Sequence, residues 1–234
     1  MVVVGVLLAL LLAEWAEGRT AAKRMAAAEE AMSTELNEAA LYLAFRQSMQ
    51  GCVRDQQMRL LSQLRESDAG WEAFRRHTVT IEPIDDNESI SGVLHVPRAS
   101  LKDAAWQSAL ATGALEPMER ERFAQYVDLY ESLAAMQRQF ERELAAADAL
   151  SPLTSDLTLT PETRQAYLSA LYSWSRASTF ISNEDEFLML LDQIGVADRE
   201  YLETMSAQWD DILERDFPNH RACIQAVFDR FAPK

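Results

Sequence analysis

The residues of this chain best suited to soft-metal or thiol chemistry are Cys52, His220 and Cys223. His220 and Cys223 stand three apart, which places both on one face of a helix, and Cys52 would have to join them from a distant part of the fold. Those three ligands make an incomplete structural zinc site. A metal or nucleophile role, a pair of buried thiols, and one disulfide between Cys52 and Cys223 are the three readings open to the cysteines. The disulfide is the preferred one, because Cys52 falls on an apolar stripe of the first body helix and Cys223 on the apolar side of the last. Such a bridge closes about 170 residues, which chain entropy values at roughly 5 kcal/mol, and it requires an oxidising compartment.

Hard oxygen ligands cluster at Asp85, Asp86, Asn87, Glu88 and Ser89. A calcium loop of the EF-hand type wants Gly at its sixth position and Glu at its twelfth, where Ile90 and Val96 stand, so the cluster reads as a solvated turn. The same carboxylates, Asp85, Asp86 and Glu88, are the candidates for acid–base work if the chain is a hydrolase or transferase. His77 and His95 complete the histidines, and no Glu-x-x-His, His-Glu-x-x-His, Gly-x-Ser-x-Gly, Walker loop or dinucleotide fingerprint occurs. The residues therefore assign no catalytic group, no metal and no cofactor.

What would position these residues is a set of helices. The chain has 234 residues, with only seven Gly and seven Pro, and 48% of it is apolar. Between Arg19 and Arg65 there is no Pro and one Gly, and apolar residues recur at Met25, Met32, Leu36, Ala39, Leu43, Met49, Val53, Leu60 and Leu64, the spacing of a long amphipathic helix. Trp71 to Arg76 suits a short helical turn. Residues 78–100 carry the β-branched run, prolines and polar cluster of a long irregular loop. Ser100 and Asp103 read as the cap and acidic first turn of a helix that Gly113 ends, and Pro117 opens the next, which runs to Leu150. Thr160 and Pro161 open another, extending to Gly195. Asp198 caps a helix to Phe217, and Pro218 starts a last one. The fold class is all-α, a five- or six-helix bundle over 19–234 with its irregular loop at 78–100.

Residues 1–18 read differently. Val2 to Ala13 is unbroken apolar sequence, about 18 Å of helix against the ~30 Å of a hydrocarbon core. No basic segment precedes it, and Glu14 and Trp15 occupy the place of a cleavage site. It reads as a transmembrane anchor whose first residues are missing, continuing without a break into the long helix. Arg19, Lys23 and Arg24 behind it would by themselves hold the body in the cytoplasm. Lys plus Arg number 22 against 37 Asp plus Glu, a formal charge of -15, so nucleic acid is a poor partner.

The segment Ala105-Trp106-Gln107-Ser108-Ala109-Leu110-Ala111-Thr112-Gly113-Ala114-Leu115 resembles one carried by uncharacterised bacterial single-span inner-membrane proteins, behind an N-terminal span, a long helix and a loop in this order. Trp106 would anchor the core, Leu110 and Thr112 lead to Gly113 as the helix end, and Leu115 fold back as its apolar partner. The resemblance implies a body in the periplasm, which agrees with a disulfide and opposes the local charge signal. It implies no activity. The expected function is a membrane-anchored, non-enzymatic interaction or sensor module whose partners are the bilayer and a protein or a second copy of itself. A carboxylate-dependent envelope enzyme is the alternative.

Overall fold

A computed structural model of the chain describes residues 2–72, 101–181 and 185–216. Among them are seven α-helices: α1 (Val2–Ser48), α2 (Gln50–Glu66), α3 (Ala104–Ala111), α4 (Arg120–Ala149), α5 (Pro161–Ile181), α6 (Asp185–Gln193) and α7 (Arg199–Asp216). The only strands described are β1 (Gly70–Trp71) and β2 (Leu157–Thr158), an antiparallel pair with Gly70 opposite Thr158 and Trp71 opposite Leu157. The all-α class holds. Trp71, expected in a helical turn, is instead a strand residue whose indole N–H donates to the Leu153 carbonyl at 2.9 Å. The loop expected at 78–100 lies outside the described residues, as does the helix expected after Pro218.

The single helix expected from 19 to 65 is interrupted at Met49. There the Ser48 hydroxyl donates to the Phe45 carbonyl at 2.6 Å, competing with the Met49 N–H, whose bond to the same oxygen is 3.4 Å long. A serine that bonds back to its own helix and a glycine shortly after, Gly51, are common causes of a bend. Of the helix expected from 161 to 195, α5 and α6 are described, on either side of residues 182–184, which lie outside the described residues.

Helix ends follow their capping chemistry. Gly113 and Gly195 both adopt φ +67. At the first, Ala114 N–H reaches Ala109 O at 3.1 Å and Gly113 N–H reaches Leu110 O at 3.2 Å. At the second, Val196 N–H reaches Leu191 O and Gly195 N–H reaches Asp192 O, both at 3.1 Å. Each is a Schellman end, which needs a residue tolerant of positive φ. Thr160 caps α5 reciprocally with Thr163, through N–H to Oγ1 bonds of 3.2 and 2.9 Å, and the Asp198 carboxylate caps α7 at the Tyr201 N–H, 2.9 Å away. Asp103, expected in the first turn of α3 behind a Ser100 cap, stands at the N-cap position itself and makes no side-chain cap hydrogen bond, and Ser100 lies outside the described residues. Glu35 of α1 does that work across the bundle, accepting from the Ala105 N–H at 3.0 Å.

The apolar interior forms two clusters. The larger joins α1, α3, α4, the end of α5, α6 and α7 around Leu36, Leu43, Trp106, Tyr126, Leu133, Ile181 and Phe187. The smaller joins α2, α5, the strand pair and the end of α4 around Leu60, Leu64, Trp71, Leu153 and Trp174. Among the described elements only α4 and α5 contribute to both, and their mutual packing is the most extensive.

The anchor expected over 1–18 is not borne out as a membrane span. Among the described residues no helix is long and apolar enough to cross a membrane. The physical reason is local: the apolar run stops at Ala13, and Glu14, Glu17 and Arg19 follow within two turns of the same helix.

Candidate functional site

Where the two clusters meet, four helices each place one polar side chain. Arg46 lies between Leu43 and Met49, Gln57 between Val53 and Leu60, Glu143 between Phe140 and Ala146, and Ser178 between Trp174 and Ile181. All four are buried, Arg46 at 1% and Glu143 at 0% exposure. Arg46 Nη2 and the Ser178 hydroxyl both donate to Glu143 Oε1. Gln57 Nε2 donates to Ser178 Oγ at 3.2 Å, and Arg46 Nη1 donates to Gln50 Oε1 at 3.4 Å. Buried charge persists only when paired and hydrogen-bonded in this way. The pairing is incomplete, since Arg46 Nε, Glu143 Oε2 and Trp174 Nε1 have no hydrogen-bond partner among the described residues. The layer ties α1, α2, α4 and α5 in one register. Sealed from solvent, its carboxylate is placed to hold helices together and not to meet a substrate.

A second polar cluster fastens α1 to the rest of the larger core. The Tyr130 hydroxyl donates to Glu35 Oε1 at 2.9 Å. Asn37 Nδ2 donates to the Val196 carbonyl at 2.8 Å, while its Oδ1 accepts from the Asp198 N–H at 2.8 Å. Arg122 reaches the Ile194 carbonyl and Glu29. Burial, and then the neighbouring Glu35 carboxylate, push the Tyr130 hydroxyl well above its ordinary value of 10.0. Burial also raises Tyr126 and Tyr201. A raised tyrosine favours the protonated fold, so this contribution is intact below pH 10 and is lost as pH rises above that. Alkaline titration followed by tyrosinate absorbance should therefore lag behind that of the unfolded chain. Tyr130→Phe should flatten the loss of thermal stability above pH 10, and an unchanged profile would contradict the assignment.

The expected motif residues separate. Trp106 and Leu115 are buried in the larger cluster, with the Trp106 indole stacked on Tyr130 at 5.0 Å and against Phe123 at 5.6 Å. Gly113 ends the helix as expected. Thr112 is exposed, its hydroxyl bonded back to the Ser108 carbonyl at 2.8 Å, and Leu110 is 43% exposed; both lead to Gly113 along α3. Cys52 is half-buried on α2, and no cysteine is free among the described residues. Cys223 lies outside them, as do His77, His95, His220 and the carboxylates Asp85, Asp86 and Glu88. Among the described residues no three His, Cys, Asp or Glu side chains come together as a metal site.

The other unusual surface is the first part of α1. Every side chain from Leu11 to Thr20 is exposed, including Leu11 at 61%, Leu12 at 65% and Trp15 at 61%. Contact with the bundle becomes continuous only near Ala28. The helix thus projects from the described bundle and carries large apolar side chains that remain exposed, Arg19 lying over the Trp15 ring at 5.4 Å from its centre. Comparison with protein-family profiles, with curated proteins and with solved structures finds no match for this chain.

Proposed function

We propose that this chain is a non-enzymatic helical module that works at a lipid bilayer, held there by the apolar end of α1 and offering its bundle to a partner. The observation that carries this reading is the exposure of Leu11, Leu12 and Trp15 on a helix that continues the apolar run Val2–Ala13. Removing a large apolar side chain from water is worth about 1.5–3 kcal/mol, and Trp favours the headgroup boundary. Arg19, Lys23 and Arg24 follow at the level where cations meet lipid phosphates. The bilayer is the bacterial inner membrane and the body is periplasmic, a placement that the resemblance at Trp106–Leu115 supports. A Cys52–Cys223 bridge would fit that compartment, and the lack of a free cysteine among the described residues favours it.

The test is flotation with phosphatidylethanolamine–phosphatidylglycerol vesicles. The full chain should rise with the lipid. Leu11→Asp and Leu12→Asp together should reduce the bound fraction by at least about tenfold, since a carboxylate in apolar lipid costs about 2–3 kcal/mol. Their melting temperature should match the parent's, because neither side chain touches the bundle. A parent chain that stays at the bottom of the gradient would remove the reading.

A further inference from the structure

We propose that the projecting part of α1 is a self-association surface on which a second copy of this chain docks in parallel. Leu11, Trp15, Gly18, Ala22 and Met25 form its seam, and Glu14 of each copy faces Arg19 of the other. The inference rests on the membrane reading for its direction, since two copies held in one bilayer present their α1 helices side by side with the same polarity.

The seam positions alternate by four and three, the spacing of paired apolar positions in a coiled coil, and the same series continues through Glu29 into Met32 and Leu36 of the bundle's own core. The stripe that packs inside the bundle therefore extends beyond it and loses its partner. In this register Glu14 and Arg19 occupy the two flanking positions that face each other across a parallel pair, five residues apart, and they carry opposite charge. The same two residues fit an antiparallel pair less well, because flanking positions of one type then face each other. Arg19 already lies along the seam's edge, its guanidinium carbon 5.4 Å from the centre of the Trp15 ring.

Gly18 points the same way. It sits inside a continuous helix, where glycine is less favourable than alanine, and a Cβ built on it would meet nothing within 4 Å. Neither a positive φ nor a neighbour in its own chain requires it. Facing indoles at Trp15 need space, and a glycine layer directly beside them provides it, the pairing of large with small that close packing favours. Two heptads are short for an isolated coiled coil, and a shared bilayer compensates by raising the effective concentration of one copy at the other.

The experiment is oxidative cross-linking of the full chain in phosphatidylethanolamine–phosphatidylglycerol vesicles, with flotation of the same samples. Ala22→Cys, on the seam, should give a disulfide-linked dimer well above the parent's background, and Lys23→Cys, on the outer face, should give far less. In the Ala22→Cys background, Glu14→Arg should lower the dimer yield several-fold, and adding Arg19→Glu should restore it. Equal yields from Ala22→Cys and Lys23→Cys would overturn the seam, and a Glu14→Arg effect that Arg19→Glu does not reverse would overturn the register. A chain that floats but gives no Ala22→Cys dimer overturns self-association alone. A chain that does not float overturns the membrane reading, whatever its cross-linking.

Discussion

Arg46→Met should be among the most damaging single substitutions in this protein. It leaves the Glu143 carboxylate fully buried with the Ser178 hydroxyl as the remaining donor to Oε1 and, among the described residues, nothing on Oε2. Breaking a buried pair from one side costs about 3–5 kcal/mol, mainly the desolvation of the charge left behind. For a chain of this length that is roughly 6–20 °C in melting temperature. Arg46→Met combined with Glu143→Leu removes both charges and leaves apolar groups of similar size between two apolar clusters, so the double variant should recover most of the loss. Thermal denaturation followed by circular dichroism reads both. A single variant that melts with the parent, or a double variant no better than the single, would show that the layer is not an energetically coupled pair.

Trp106→Ala should cost about 3–5 kcal/mol, the range for deleting a large buried aromatic whose cavity cannot collapse. The indole fills the space between α3 and α4, against Tyr130 on one side and Phe123 on the other, and aromatic pairing adds to simple area burial. Because α3 has only eight residues and is capped by Glu35 from α1, it has little to hold it once the indole is gone. Trp106→Phe keeps part of the stack and should lose less than half as much. Denaturant unfolding of the two variants checks the order, and equal midpoints for Trp106→Ala and the parent would show that the indole is not a core anchor.

Much of the fold was legible because its signals are local. Thr160 with Pro161, Asp198, Gly113 and Gly195 mark helix ends by side-chain chemistry that acts within a few residues, and each marks one in the structure. The strand pair was not legible, since two residues per strand have no period to read. The polar layer was missed for a different reason. On α4 the inward-turning polar residue is Glu143, three after Phe140 and three before Ala146, a spacing that a single carboxylate among apolar residues does not announce. Arg46, Gln57 and Ser178 interrupt their own stripes in the same way. Each interruption taken alone resembles an ordinary solvated position. Only together do a cation, a carboxylate and two neutral polar groups match, and the matching is between helices.

The division of the interior by that layer bears on how the molecule opens. Cooperative opening units tend to coincide with contiguous packed regions. Here α2, most of α5 and the strand pair share the smaller cluster, while α3, α6 and α7 share the larger with α1. Breathing of one half need not expose the other, provided that the bonds among Arg46, Glu143 and Ser178 at the boundary hold. Hydrogen–deuterium exchange along α4 should therefore show two classes of amide proton, with Tyr126 through Phe140 following the larger half and Ala146 onward following the smaller. Glu143, bonded to Arg46 and Ser178, is where that division would fall along the helix.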